Sequence, residues 1–512
     1  MDETREKHKI YLLIFFVSFA FTAILMPGNL LYDEFWSLLH FVPLDVFQIL
    51  TDLSLPNNHP VNTLLLKIMV FFSDAGIVLR LPSLLCGAAI PVLCGQLAYK
   101  WSRTNHFAAL ISAAIFAAFS APLAIYSGLA RGYAVQLFFL LLCIRAMSGA
   151  KENPRRAAVW MSVGAIGTFL SVPTGALFLL PAAAGFLIYT HPEVRKNRDI
   201  WIGAGVIAVA GALFYGINFS ALQSGQSWGN KLDSVAGFGA FLGNTLLSLT
   251  VTPLLLAALP VFFRPVKRLA ALGLLFCPLL LSVFTNGGPE RCYLFLAAAL
   301  AVSGGIGVGE FTARFRHTLI CTVVITAILS AGGFALQFNN WRQVDYIRVF
   351  DECRQELPPE VLPVLRSTAG FPVLCGISPL ELTDFNMQIS GGNFKKIAVF
   401  ECANGVFNGL DANMSENLMH FDGVNGEAAL AGGLPCRIYE VHPVESAAAG
   451  ECMLIICPSG YPDVPELLDK HGQVLYLNAW LTKTGKMALF KCETALPELP
   501  GSVQIYRIGG CK

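Results

Sequence analysis

The sequence predicts a polytopic α-helical membrane protein of about eleven transmembrane helices, with juxtamembrane helices in its first outer loop and a C-terminal soluble α/β domain. Three observations carry that expectation. Hydrophobic residues fill 55% of the 512 positions and charged residues only 13%, with a mean hydropathy of +0.59, which excludes a water-soluble globular chain. Long apolar stretches alternate with short charged or Gly/Pro-rich breaks as far as residue 337. Beyond it the composition turns globular over a length that suits one small domain, so the chain divides into 1–337 and 338–512. The net charge of +1 creates no global field, and no nucleic-acid partner is expected.

Candidate spans fall near 10–30, 80–99, 106–125, 131–147, 157–171, 174–190, 200–217, 238–263, 269–285, 291–309 and 317–337. The first lacks a small-residue cleavage site and reads as an uncleaved helix. A further apolar run, Val61–Phe72, contains Lys67 and is shorter than the roughly 20 residues a span needs.

Charge in the short loops orients the bundle, because cytoplasmic loops retain Lys and Arg. With Val61–Phe72 left on the membrane surface, one side collects Arg5, Lys7, Lys9, Lys100, Arg103, Arg145, Lys151, Arg155, Arg156, Arg195, Lys196, Arg198, Arg264, Lys267, Arg268, Arg314 and Arg316. The other side has Lys67, Arg80, Arg131, Lys231 and Arg291. Threading Val61–Phe72 through the membrane would scramble that bias. The N-terminus is therefore expected in the cytoplasm, with residues 31–79 and the tail after Gln337 outside. A bacterial inner membrane, with a periplasmic tail, fits better than an endoplasmic reticulum, since sequons are few: Asn413-Met-Ser415 and Asn218-Phe-Ser220.

Two surface helices are expected in the first outer segment, one carrying Val42, Val46, Ile49, Leu50 and Leu53 at helical spacing, the other Leu64, Leu65, Ile68, Met69 and Phe72. In the tail, strand-like runs at Lys396–Phe400, Met453–Cys457, Val474–Leu477 and Met487–Lys491 accompany a helix-like Val464–His471 and a turn at Lys483–Lys486. Eight cysteines lie there: Cys353, Cys375, Cys402, Cys436, Cys452, Cys457, Cys492 and Cys511. They read as disulfides of an outer domain or as buried thiols of a small core, and no pair has zinc-finger spacing.

Chemistry concentrates on the outer side. Asp33 and Glu34 follow the first span, flanked by Tyr32, Phe35 and Trp36, aromatics that prefer the interface. Carboxylates there are candidate catalytic groups, though acids also simply end a span. His59, in the turn Asn57-Asn58-His59-Pro60, is a candidate phosphate donor, proton acceptor or ligand of a divalent cation, the only metal role the sequence suggests. Arg131 and Tyr133 in Tyr126-Ser-Gly-Leu-Ala-Arg131-Gly-Tyr133, and Arg291 and Tyr293 in Pro289-Glu290-Arg291-Cys-Tyr293, place guanidinium groups where they grip phosphate or merely snorkel. Lys231, in a Gly/Ser-rich outer loop, is the weakest substrate-binding candidate.

In this order and on this side, the features resemble the GT-C class of polyprenyl-phosphate-sugar-dependent glycosyltransferases, specifically the protein O-mannosyltransferase and lipid A aminoarabinose transferase group. The matching pieces are Asp33-Glu34, His59-Pro60, Arg80-Leu-Pro-Ser83 with Gly87, Tyr126 to Tyr133, and Arg291 with Tyr293. The resemblance is fullest over residues 10–150. It implies an acceptor hydroxyl attacking the anomeric carbon of a polyprenyl-phosphate sugar, usually with inversion, with Asp33 at the position of the general base. It also implies membrane lipids around the site and a glycan, lipid or protein acceptor. His59 matches the place of a metal ligand or donor-phosphate contact. Where relatives often carry an aspartate after the second-loop arginine, this chain has Gly132, Tyr133, Ala134 and Val135, and Val61 stands where a second proline is common. Rival readings are a transporter, a lipid-linked glycan ligase, and a noncatalytic scaffold for the tail. A transporter normally has an acid pair or an interrupted helix near mid-membrane, and the sequence suggests neither.

Overall fold

A computed structural model describes residues 2–26, 34, 37–53, 58–73, 75–225, 290–313, 318–341, 360–367, 395–402, 427–431, 434–457, 471–479, 486–496 and 504–508. The chain forms two compact units, one of Met1–Met26 with Trp36–Gln343, the other of Pro27–Phe35 with Val344–Lys512.

The described part of the first unit is helical: α1 (Asp2–Leu25), α2 (Val46–Thr51), α3 (Pro60–Val70), α4 (Gly76–Trp101), α5 (His106–Ala118), α6 (Ala121–Ser127), α7 (Gly132–Ser148), α8 (Pro154–Ser171), α9 (Pro173–Thr190), α10 (Arg198–Ile217), α11 (Phe219–Gly225), α12 (Leu294–Thr312) and α13 (Thr318–Trp341). Nine of the predicted spans fall on these helices. Those at 238–263 and 269–285 lie outside the described residues. Among the described residues, four helices are long and apolar enough to cross a membrane, five if one bent pair makes a single span. α1, α10 and α13 turn apolar side chains outward, among them Leu13, Phe16, Val209, Leu213, Ile320 and Ile328, as a surface facing lipid does. α12 is the opposite, 94% buried over its apolar window. It packs so tightly on α5 that a Cβ at Gly305 would meet the Ala113 backbone at 2.5 Å, the close approach that small residues permit where dispersion holds helices together.

The predicted span 106–125 is not one helix. α5 and α6 meet at a 63° bend, because Pro122 has no N–H to give and its ring clashes with a continuing helix. An interrupted helix is therefore present after all, although no acid pair lies along 106–127.

Both surface helices of the first loop exist in the form of α2 and α3. α2 starts at a capping box, with the Asp45 carboxylate accepting from Gln48 N at 2.8 Å and the Gln48 side chain accepting from Asp45 N at 3.0 Å. α3 buries Asn62, Thr63 and Leu66 against the bundle while Ile68 and Val70, with Phe71 and Phe72 just beyond, stay exposed, the presentation of a helix lying on a membrane. Lys67, anomalous in an apolar run, donates to the Val42 and Leu44 carbonyls at 2.7 and 2.8 Å. Asn218 is buried, and its amide donates to Leu50 and Phe214 carbonyls, so this sequon is no accessible acceptor. Asn413 lies outside the described residues.

The described part of the second unit is an eight-stranded sheet, β1 (Val361–Ser367), β2 (Lys396–Cys402), β3 (Glu427–Ala431), β4 (Leu434–Val444), β5 (Cys452–Cys457), β6 (Gly472–Ala479), β7 (Lys486–Cys492) and β8 (Gln504–Ile508). Its order is β1-β2-β4-β8-β5-β7-β6, with β3 on β4. β1 and β2 are parallel and the other pairs antiparallel. The four predicted strands are β2, β5, β6 and β7, and Ala479 pairs Lys486 across the predicted hairpin. In β5, consecutive Cys452, Met453, Leu454 and Ile455 are all buried; neighbours on a strand point to opposite faces, so both faces are covered. The helix-like stretch 464–470 lies outside the described residues.

Candidate functional site

The bundle has two chemically different ends. At one, Lys100 of α4 pairs with Glu152 of the α7–α8 turn at 2.8 Å, Arg145 of α7 donates to Gln96 at 3.2 Å, and Lys7 of α1 lies 4.3 Å from the Tyr99 ring centroid. This is the basic end that the loop charges predict. Helices starting here are capped by side chains: Asn105 accepts from Ala108 N, Asn153 from Arg156 N, and Asn197 from Asp199 N and Ile200 N.

At the other end three helices lack a side-chain cap. α3, α7 and α12 begin with His59, Arg131 and Tyr293 in the cap position, and none of the three makes a side-chain cap hydrogen bond. These are three of the residues that the sequence singles out. An uncapped start leaves backbone N–H groups and the positive end of the helix dipole directed outward, which favours an anion. The starts of α3 and α7 touch: a Cβ at Gly132 would lie 2.8 Å from the His59 Cβ and 2.6 Å from the Ser171 carbonyl oxygen. α12 is joined to α7 through Arg291, in the 3-10 turn Glu290–Tyr293, whose Nε donates to the Tyr133 hydroxyl at 3.0 Å.

Tyr133 is the hub. His59 packs edge-on against its ring at 5.2 Å, Tyr126 does so at 5.4 Å, and the Arg131 guanidinium lies 5.8 Å from the same centroid. Neutral polar side chains hold the surrounding turns. Asn62 donates to the Ala130 carbonyl at 2.9 Å, Gln136 to the Val172 carbonyl at 2.9 Å, and Ser83 to the Arg131 carbonyl at 3.3 Å. Ser83 belongs to a stretch that the sequence singles out, whereas Asn62 and Gln136 escape sequence reading because a single amide on an apolar helix resembles any solvated residue; for Asn62 the sole hint is its place one helical turn from His59.

His59 is 2% exposed, and neither ring nitrogen has a hydrogen-bond partner among the described residues. Burial holds its pKa well below the ordinary 6.5, and the neighbouring Arg131 and Arg291 push it lower still. The Ser171 carbonyl acts in the opposite sense without reaching hydrogen-bond geometry. The ring is therefore neutral, with one N–H and one lone pair. Two guanidinium groups beside it disfavour a cation, and no group of three His, Cys, Asp or Glu side chains that could hold one gathers among the described residues.

Of the predicted site residues, the fold brings His59, Arg131, Tyr133 and Arg291 together. Tyr293 is buried at the start of α12, its ring 6.2 Å from that of Phe295. Glu34 is fully buried and groups with the second unit. Asp33 and Lys231 lie outside the described residues.

No protein-family model matches the chain, and no curated protein does. Among solved structures it is similar to ArnT from Cupriavidus metallidurans, at 11% identity over 83% of this chain and 97% of that one, with a TM-score of 0.49. It is similar to the archaeal oligosaccharyltransferase AglB from Archaeoglobus fulgidus, at 11% identity over 77% and 70%, with a TM-score of 0.43. The mycobacterial arabinofuranosyltransferase AftD is a third, at 14% identity over 98% of this chain and 41% of that one, with a TM-score of 0.44.

Proposed function

We propose that this chain is an integral membrane glycosyltransferase that moves a sugar from a polyprenyl-phosphate donor to a hydroxyl of a glycan, lipid or protein on the periplasmic face, with inversion. In this reading residues 1–337 carry the reaction and residues 338–512 form a periplasmic α/β domain. The observation that carries it is the convergence of Arg131, Arg291 and the uncapped starts of α3 and α7 around Tyr133. Such an array binds a phosphate and stabilises the charge that develops as a phosphate leaves.

The acceptor oxygen attacks the anomeric carbon, the bond from that carbon to the phosphate oxygen breaks, and the electron pair departs on the polyprenyl phosphate. Asp33, with Glu34 beside it, takes the acceptor proton; a carboxylate following the first span reaches a water-borne acceptor while the donor's lipid tail stays in the bilayer. The leaving phosphate is a weak base and needs no proton, only its charge held. Lys231 and Tyr293 complete the donor contacts.

The test is full-length protein reconstituted with polyprenyl-phosphate sugars. Asp33→Asn is expected to abolish transfer with donor binding retained, and Arg131→Gln and Arg291→Gln to weaken donor binding by about 1–3 kcal/mol each. Normal turnover by Asp33→Asn removes the base, and unchanged affinity in both arginine variants removes the phosphate site.

A further inference from the structure

We propose that His59 is a specificity-determining residue that accepts a hydrogen bond from a hydroxyl of the transferred sugar, an inference that rests on the transferase reading above. The inventory of hydrogen-bonding groups around it supplies the reason. Guanidinium groups and backbone N–H groups at helix starts are donors only. Arg131, Arg291 and the first turns of α3 and α7 therefore suit phosphate oxygens, which in a sugar phosphodiester are acceptors only. None of them receives a hydroxyl proton.

The imidazole differs in kind. Both of its nitrogens are buried and, among the described residues, without hydrogen-bond partners, so in neutral form it offers one donor and one acceptor, each costly to leave unmade. A phosphodiester satisfies the donor alone. The acceptor nitrogen needs an O–H or N–H, and the group that brings one to the edge of a phosphate site is the sugar attached to that phosphate. The ring is also held where it must be, edge-on to Tyr133 at 5.2 Å and against Gly132, whose missing side chain leaves room for it. Arg131 and Arg291, long and jointed, are the groups that shift as a hydroxyl reaches the ring.

Binding to the full-length chain in lipid nanodiscs separates this role from phosphate binding. The probes are bare undecaprenyl phosphate and a panel of undecaprenyl-phosphate hexoses and pentoses. Wild-type protein is expected to bind at least one sugar-bearing carrier roughly 10-fold more tightly than the bare one, the worth of a buried hydrogen bond. His59→Ala should erase that preference by weakening the sugar-bearing carrier well beyond any change in the bare one, and retained binding of the bare carrier shows that the variant is folded; His59→Gln, which keeps a donor and an acceptor, should restore part of the preference. The proposal is overturned if His59→Ala weakens the bare and the sugar-bearing carriers alike, or if the wild type never distinguishes them. Should the wild type bind no carrier of either kind, the transferase reading itself fails.

Discussion

Arg291 donates through Nε to the hydroxyl of Tyr133 at 3.0 Å, tying the turn before α12 to the first turn of α7. Removing the hydroxyl tests what that tie is worth. Tyr133→Phe keeps the ring contacts with His59, Tyr126 and Arg131 while depriving a guanidinium of an acceptor, a loss of about 1.5–3 kcal/mol for a half-buried charged bond. Thermal unfolding in detergent should fall accordingly, and affinity for bare polyprenyl phosphate with it, as Arg291 loses its fixed position. An unchanged melting temperature would mean that Arg291 does not depend on Tyr133.

Gly132 stands where a methyl group cannot. A Cβ there meets the Ser171 carbonyl oxygen at 2.6 Å, the His59 Cβ at 2.8 Å and the His59 Cγ at 2.9 Å, and two of these three atoms cannot move without displacing backbone. Gly132→Ala should cost about 1–3 kcal/mol of stability by overpacking and lower sugar transfer by displacing His59. Unfolding measured beside turnover checks both; a stable and active variant would show that α3 and α7 separate freely.

Asn62 touches no proposed ligand, yet its amide holds the Ala130 carbonyl at 2.9 Å one residue before Arg131. Asn62→Leu, close in volume, takes that buried donor away at a cost of about 1–3 kcal/mol. Carrier affinity should drop because Arg131 is no longer presented in one place, while the preference for a sugar-bearing carrier over the bare one, which belongs to His59, persists. Isothermal titration with both carriers separates the two effects.

What could be read in advance follows what the local pattern encodes. The basic end was legible because loop lysines and arginines announce it one by one, and the nine helical stretches on which candidate spans fall because apolar length is visible without neighbours. Pro122 was equally visible, but an apolar run continuing across it hid the bend that it imposes. β1 and β4 went unread for the opposite reason: Pro363, Pro435 and Pro443 argue against strands, yet pairing with neighbours on the sheet overrides that preference. His59, Arg131 and Tyr293 stood out as chemically interesting residues. That His59 and Arg131 stand in cap positions without capping, at two helix starts that touch, is a tertiary fact; a sequence shows which capping residues are present, not which helix starts end up side by side.

The electrostatics of His59 carry a pH dependence whose sign is fixed. Burial first, then Arg131 and Arg291, hold the folded ring neutral to well below 6.5, whereas in the unfolded chain the ring takes up a proton near that value. Unfolding therefore binds a proton as pH falls below about 6.5, and the native state loses up to about 1.4 kcal/mol per pH unit through this one group until the folded pKa is reached. Above 6.5 both states are neutral there and the contribution vanishes. Comparing unfolding of wild type with His59→Asn from pH 8 to pH 5 isolates the effect, since other titrating groups cancel in the difference: the gap between the two should be constant above pH 7 and shift in favour of the variant on acidification. Affinity for bare polyprenyl phosphate should in turn show no loss through deprotonation of His59 between pH 6 and 8, because the neutral ring has no positive charge to lose. A wild type whose stability advantage grows on acidification would mean that His59 is an imidazolium in the fold, paired with an acid, and both its neutral role and its place beside two arginines would have to be abandoned.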